Sequence, residues 1–171
     1  MKVVNSSVLK EWYDGEYNAS DNGALFGELR GELKQFLDDL PAGPGQALEL
    51  GCGDGRNLTA LARKGYSVSG VDMVDSTVQS RKHNPWLREL NFEQADILDY
   101  TPAPQAYDVL VCSEVLHFFT PDELQQVMPK LISAVKPGGF VFFDLLSDLT
   151  RYFQATGEPF IWDKEAGLSI L

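Results

Sequence analysis

Cysteines and basic residues are scarce in this sequence. Only Cys52 and Cys112 occur in its 171 residues, and two isolated cysteines make neither a disulfide framework nor a zinc site. We interpret both as buried thiols and expect a cytoplasmic protein. The 14 Lys and Arg residues are outnumbered by 25 Asp and Glu residues, which gives a formal net charge of −11. Such acidity disfavours nucleic acid and anionic membranes as partners.

Long apolar runs are absent as well. No uncharged apolar stretch of the sequence approaches the roughly 18–20 residues that a membrane span needs. The N-terminal residues do not form the core of a signal peptide, so we expect neither membrane insertion nor export. The 44% of hydrophobic residues can fill a core, in a length typical of one domain.

Short apolar runs alternate with helical periodicity over much of the chain. Parallel strands that are covered on both faces are apolar throughout, so this alternation predicts an α/β fold with a doubly wound, mostly parallel sheet. The predicted strands are Ala47–Leu50, Ser67–Val71, Asn91–Gln94, Tyr107–Cys112 and Phe140–Leu145.

The predicted helices have recognisable ends. A helix over Arg56–Lys64 stops at Gly65, which suits the left-handed conformation after a helix. A capping box, Thr120-Pro-Asp-Glu123, begins another helix, in which we expect Pro129 to cause a kink. Regularly spaced leucines between Leu25 and Leu40 indicate a further amphipathic helix before the sheet.

A glycine-rich turn follows the first predicted strand. The three alternate glycines of Glu49-Leu-Gly-Cys-Gly-Asp-Gly55 let the backbone approach a ligand closely, and the next helix start favours polar or anionic groups. The dinucleotide fingerprint needs a glycine where Arg56 stands, and Gly55-Arg-Asn57 lacks the Gly-Lys-Ser/Thr of a phosphate-binding loop. A nucleotide-dependent oxidoreductase is therefore the less favoured function. An ordinary strand-to-helix turn would also explain these glycines.

Acidic residues follow the next two strands. Asp72 comes after the second strand and could accept hydrogen bonds from ribose hydroxyls. Asp96 comes after the third strand and could accept from an exocyclic amine, while Ile97 offers an apolar flank for a ring. Because the carboxyl ends of parallel strands meet at one edge, both acids are predicted to line one crevice. Each could also be a loop residue or a helix cap.

Five motifs, taken together and in order, resemble those of the class I S-adenosylmethionine-dependent methyltransferases. They are Glu49–Gly55, Gly70-Val-Asp72, Ala95-Asp-Ile97, Tyr107–Glu114 and Val135-Lys-Pro-Gly-Gly139, and the resemblance covers residues 42–146. The stretch from Gly51 to Asn57, with Gly65-Tyr66, also resembles the tellurite-resistance subfamily of small methyltransferases.

The resemblance implies an S-adenosylmethionine site at the ends of the first four strands. Gly51 and Gly53 would lie under the methionine part, Glu49 would organise the turn, and Asp72 would hold the ribose. The implied cofactor-binding residues are Glu49, Gly51, Cys52, Gly53, Asp72, Met73, Asp96, Ile97, Cys112 and Ser113.

The remaining members of this set would surround the adenine and the sulfur. Met73 and Ile97 would flank the base, and Asp96 would accept from its amine. The backbone of Cys112 and Ser113 would run beside the sulfonium. Plain packing in the core is the alternative role for Met73 and Ile97.

His117 is the candidate catalytic base. Transfer of a methyl group from a sulfonium is a direct displacement, for which alignment matters most and a base is optional. His117 could take a proton from a hydroxyl or an amine, or it could be a pocket wall or a satisfied helix residue. Glu114 could bind a cationic substrate or stand at a helix start. No metal site is predicted.

The chain is divided into three parts of one domain. Residues 1–40 would form N-terminal helices and a lid, in which Tyr13 and Tyr17 contact cofactor or substrate or anchor the arm. Residues 41–146 would form the cofactor-binding core. In the C-terminal segment, 147–171, Phe160–Trp162 and Leu168–Leu171 could pair as an abbreviated hairpin, or the chain is truncated.

These observations predict a methyltransferase that acts on an O, N or S atom of a small molecule. A non-catalytic S-adenosylmethionine-binding module is the main alternative, because the binding motifs are stronger than the catalytic ones. An incomplete sheet would leave an exposed edge, so we also expect a homodimer.

Overall fold

A computed structural model describes residues 2–3, 10–11, 14–15, 29, 31–145, 160–163 and 167–170. Its central sheet has five parallel strands in the order β4-β3-β2-β5-β6. The chain therefore enters this sheet at its central strand β2, adds β3 and β4 on one side, and then adds β5 and β6 on the other side. This order confirms the doubly wound α/β fold. The strands are β2 (Gly45–Leu50), β3 (Tyr66–Asp72), β4 (Asn91–Gln94), β5 (Tyr107–Cys112) and β6 (Val135–Phe143).

The fifth strand of this sheet differs from its prediction. We predicted Phe140–Leu145, whereas β6 begins at Val135 and ends at Phe143. Its pairing with β5 jumps from Tyr107–Val135 to Val109–Phe140, and Gly138 between them has a φ of +80°. The motif Val135-Lys-Pro-Gly-Gly139 therefore forms an irregularity within the strand, of the kind a bulge produces. The other four strands match their predicted bounds to within two residues.

The helices with defined bounds are α1 (Gly31–Asp39), α2 (Arg56–Arg63), α3 (Thr77–His83) and α4 (Pro121–Ala134), and residues 10–11 and 14–15 are helical as well. The predicted helix over 56–64 ends one residue early, because Lys64 is its cap. The capping box of α4 is confirmed: Glu123 N donates to Thr120 Oγ1, and Thr120 N donates to Glu123 Oε2. The helix continues past Pro129 to Ala134.

Both faces of the sheet are covered. Alternate residues of a strand point to opposite faces, and accordingly Ala47 and Leu48 belong to different buried clusters. The first cluster packs against leucines of α1 and α2, and the second packs against Val127 and Leu131 of α4. This two-sided burial leaves the ends of the strands as the accessible edges of the sheet.

A second, smaller sheet joins the two ends of the chain. It contains β1 (Lys2–Val3), β7 (Phe160–Asp163) and β8 (Gly167–Ile170), paired antiparallel in the order β1-β8-β7. The predicted hairpin is confirmed, with slightly shifted bounds. It pairs with β1 rather than with the central sheet, and β8 lies near the 3-10 turn Leu116–Phe118.

Candidate functional site

The glycine turn lies at the carboxyl end of β2, beside the switch point of the sheet. Gly51, Gly53 and Gly55 all have positive φ, at +69°, +50° and +81°. At Gly51 a side chain would also lack space, since a Cβ there would lie 2.2 Å from Val115 Cγ2. Both the conformation and the packing of this turn therefore require glycine.

Asp72 ties this turn to the end of β3. Its Oδ2 accepts a hydrogen bond from Gly53 N at 2.9 Å, and its Oδ1 accepts one from Val74 N at 3.0 Å. Burial raises the pKa of the Asp72 carboxyl, and the backbone hydrogen bonds oppose that rise. The structure thus brings together Asp72 and Gly53, two residues that the sequence assigned to one site.

Glu49 is buried at the end of β2 with one oxygen unsatisfied. The residue is 1% exposed, and Oε1 accepts a hydrogen bond from Asn57 Nδ2. Its Oε2 has no partner among the described residues. Burial raises the pKa of Glu49 to about 8, despite the Asn57 bond and nearby Arg56, so the group is mostly protonated at neutral pH.

The residues after β4 make local contacts. Asp96 Oδ1 accepts from Leu98 N at 3.0 Å within a turn, so Asp96 is the loop residue, not the helix cap, of the alternatives above. Ile97 is buried in the same cluster as Val71. Met73 is half-buried, and its carbonyl accepts from Gln94 Nε2 at 3.0 Å. A contact of these residues with adenine stays a prediction.

The loop after β5 is held by a residue that the sequence analysis missed. Asp144, directly after β6, accepts from Ser113 Oγ at 3.0 Å and from Glu114 N at 2.6 Å. Glu114 is exposed and has a φ of +56°, so it does not start a helix. The predicted strand Phe140–Leu145 contained Asp144, so its place after β6 became visible only when the structure ended that strand at Phe143. Asn57 was also missed as the partner of Glu49, and its spacing offered no signal.

His117 lies in the 3-10 turn that follows this loop. It is 3% exposed, and neither ring nitrogen has a hydrogen-bond partner among the described residues. The described residues thus give no support to the alternative of a hydrogen-bonded helix residue. Its ring centroid lies 4.1 Å from that of Phe118, and burial lowers the pKa of His117 to about 4. The imidazole is neutral at pH 7 and able to accept a proton.

The two cysteines are buried free thiols, as predicted. Burial raises the pKa of both Cys52 and Cys112, so neither forms a reactive thiolate readily. Tyr13 and Tyr17 lie outside the described residues. Within the described part of the chain, no group of three or more His, Cys, Asp or Glu side chains could hold a metal ion. No helix described here is long and apolar enough to cross a bilayer.

Comparisons with known proteins agree with this architecture. A curated relative, the ubiquinone biosynthesis O-methyltransferase of Coxiella burnetii, is 36% identical over 125 residues, which cover 72% of this chain and 51% of that protein. The chain thus spans about half the length of the curated relatives it matches.

Two solved structures resemble the fold. An S-adenosylmethionine-dependent methyltransferase from Mesorhizobium loti has a TM-score of 0.60 at 22% identity, covering 81% of this chain and 61% of that one. The N-methyltransferase NodS from Bradyrhizobium japonicum, solved with S-adenosylhomocysteine, has a TM-score of 0.61 at 19% identity, covering 78% and 71%. The family model described as a methyltransferase domain matches residues 47–139, which include the glycine turn and the carboxyl ends of β2, β3, β4 and β5. The chain belongs to this methyltransferase-domain family.

Proposed function

We propose that this chain binds S-adenosylmethionine at the carboxyl ends of β2, β3, β4 and β5 and transfers its methyl group to an O, N or S atom of a small molecule. The observation that carries the proposal is the left-handed backbone of Gly51 and Gly53 at the switch point of the sheet, with Gly53 hydrogen-bonded to Asp72. Membership of the methyltransferase-domain family supports the same chemistry.

The buried polar groups fit the methionine part of this cofactor. Glu49 Oε2 is an acceptor without a partner among the described residues, close to the glycine turn. An ammonium group beside this carboxyl would favour its ionised form and then donate to Oε2, and the Gly51–Gly53 backbone would lie beneath the chain that carries it. The bound cofactor supplies an electrophilic methyl group on a sulfonium. Cys112 and Ser113 would border it from β5.

The nucleoside part would lie along the ends of β3 and β4. Asp72 accepts backbone hydrogen bonds from Gly53 and Val74, and a carboxylate has room for a further hydrogen bond from a ribose hydroxyl. Met73 and Ile97 would flank the adenine, and Asp96 would accept from its amine. The ribose diol would thus meet a carboxylate acceptor, and the flat adenine would lie between apolar side chains.

His117 would serve as the proton acceptor. Its imidazole is buried, neutral at pH 7 and without a partner among the described residues, so an acceptor hydroxyl or amine that reached the ring would find an unpaired nitrogen to take its proton. Exposed Glu114 would contact the acceptor at the rim. Tyr13 and Tyr17 would cover the site from the N-terminal segment.

Calorimetric titration with S-adenosylhomocysteine, with NADH as a control, tests the binding site. We expect binding of S-adenosylhomocysteine alone. Asp72→Asn should weaken it about tenfold or more, since a charged acceptor of ribose hydroxyls is lost. The matched control is Asp108→Asn at the opposite end of the sheet, which should leave the dissociation constant unchanged. Binding of NADH alone would favour the oxidoreductase.

A non-catalytic S-adenosylmethionine-binding module is the second candidate. It is favoured by one observation, that no described side chain hydrogen-bonds His117 to orient it as a base. Tritiated S-adenosylmethionine distinguishes the two, with phenols, amines and thiols as acceptors and with RNA and protein alongside. Labelling of a small molecule supports the enzyme. Labelling of RNA or protein alone contradicts the small-molecule proposal, and binding without transfer supports the module.

A homodimer, a cytoplasmic location and the absence of nucleic-acid partners belong to the same proposal. β6 is an edge strand of the described sheet, and Phe140 and Val141 on it are exposed at 42% and 37%. Such an edge is a template for pairing with another chain. Light scattering at high concentration tests this, and a stable monomer would contradict the dimer.

A further inference from the structure

The loop after β5 has an unusual backbone conformation. Glu114 has a φ of +56°, in the left-handed region that disfavours residues with a Cβ. Among the described residues, Gln105 is the other non-glycine residue with a positive φ. Such a conformation persists where surrounding contacts hold it, and it is frequent at ligand-binding sites.

One side chain holds this conformation. Asp144 Oδ1 accepts from the Glu114 amide at 2.6 Å, and Asp144 Oδ2 accepts from Ser113 Oγ at 3.0 Å. Both oxygens therefore bind consecutive residues of one loop. Because Asp144 directly follows β6, these bonds connect the carboxyl ends of two neighbouring strands. Hydrogen bonds to a carboxylate are stronger than those between neutral groups.

The loop that Asp144 holds contacts the glycine turn. Val115 follows Glu114, and its Cγ2 occupies the space in which a Cβ of Gly51 would stand. The next residues form the 3-10 turn that contains His117. A change of φ at Glu114 would rotate the chain that follows it and would move Val115 away from Gly51.

We propose that Asp144 is a positioning residue for methyl transfer, which keeps Glu114 left-handed and thereby seats Val115 against Gly51 at the wall of the cofactor pocket. The proposal rests on the proposed function, because it takes the glycine turn as the cofactor site. Asp144 acts through the loop residues that it holds, and its effect on binding is indirect.

Calorimetric titration with S-adenosylhomocysteine tests this, at a temperature at which circular dichroism shows each variant to be folded. Asp144→Ala removes both acceptors and should weaken binding about tenfold, the scale of a lost charged hydrogen bond. Asp144→Asn keeps an acceptor for the Glu114 amide and offers a donor to Ser113, so binding should stay within about threefold of the wild type. Asp144→Ser, with one acceptor, replaces Asp144→Ala if the latter does not fold.

The substitution Glu114→Gly distinguishes a positioning role of Asp144 from a general effect of Asp144 on stability. Glycine adopts a left-handed conformation without help, so Asp144→Ala should cost less than about threefold in binding when made in the Glu114→Gly background. An equal loss in both backgrounds would overturn the proposal, as would unchanged binding by Asp144→Ala alone. Absence of binding by the wild-type protein would instead overturn the proposed function, and this inference with it.

Discussion

The amino end of the central sheet has its polar groups paired. Asp108, near the start of β5, accepts from Lys136 Nζ at 2.8 Å and from Gln46 N at 2.7 Å. Tyr66 OH, at the start of β3, donates to Pro41 O at 2.8 Å. These contacts join the starts of four strands and their preceding loop, and they lie where water also reaches the side chains of Asp108 and Lys136.

The carboxyl end of the same sheet also has paired carboxylates, Asp72 and Asp144, but some of its buried polar atoms lack a partner. Glu49 Oε2 and both nitrogens of His117 are buried without a hydrogen-bond partner among the described residues. A buried polar group that lacks a partner lowers stability, whereas a ligand that supplies the partner recovers that free energy on binding. The contrast supports the proposal that the cofactor binds at the carboxyl end, while the paired groups of the amino end stabilise the fold.

The largest expected effect comes from adding a methyl group to Gly51 at the carboxyl end. Gly51→Ala combines a left-handed φ with a Cβ 2.2 Å from Val115 Cγ2. We expect it to lower the free energy of unfolding by about 3–5 kcal/mol and to abolish S-adenosylhomocysteine binding. Urea denaturation and calorimetry measure both.

Gly138→Ala is the matched control at the amino end. Gly138 has a φ of +80° with nothing within 4 Å of a Cβ, so only the conformational cost of about 1–2 kcal/mol remains. Its binding should be unchanged. Equal losses of stability in the two variants would contradict the close packing of Val115 on the turn.

Glu49 should make stability fall as the pH rises. Its pKa is about 8 in the folded chain and near its ordinary 4.5 after unfolding. Between these values the folded chain holds a proton that the unfolded chain has released, so the free energy of unfolding falls by up to about 1.4 kcal/mol per pH unit. Urea denaturation from pH 5 to 9 should show this slope, and Glu49→Gln should remove it. A slope unchanged by Glu49→Gln would contradict the assignment.

His117 should act in the opposite direction over a narrower range. Its pKa is about 4 when folded and near its ordinary 6.5 when unfolded, so stability is lost as the pH falls from about 6.5 toward 4. His117→Phe should remove this loss. At pH 7 it should stabilise the protein by about 1 kcal/mol, because an unpartnered imidazole is replaced by an apolar ring. Proton NMR should find no titration of His117 above pH 5, and a midpoint near 6.5 would contradict its burial.

The elements that were predicted correctly carry strong local signals. The apolar run Tyr107–Cys112 marked a strand covered on both faces, and the capping box of α4 marked its first turn. The helix Thr77–His83 was not predicted, because it has hardly any apolar residues to show a period. The bulge in β6 escaped detection since it depends on pairing with β5.

The candidate site was only partly predictable for a related reason. Asp72 was found because strand ends in such a sheet converge on one edge. Other features depend on distances between segments far apart in the chain. They are the hydrogen bond of Asp72 with Gly53, the hydrogen bond of Asp144 with Glu114, and the missing partner of Glu49. Local residue patterns contain no measure of those distances.

The smallest expected effect is at the paired amino end. Asp108 and Lys136 form an ion pair whose side chains are 35% and 41% exposed, and this pair holds the pKa of Asp108 below its ordinary value. Water and salt screen such pairs, so Lys136→Met should lower the free energy of unfolding by less than about 1 kcal/mol. The loss should fade as the pH drops and Asp108 becomes protonated, and S-adenosylhomocysteine should bind as before. Weaker binding in Lys136→Met would mean that the two ends of the sheet are coupled, and the division between a stabilising end and a binding end would have to be abandoned.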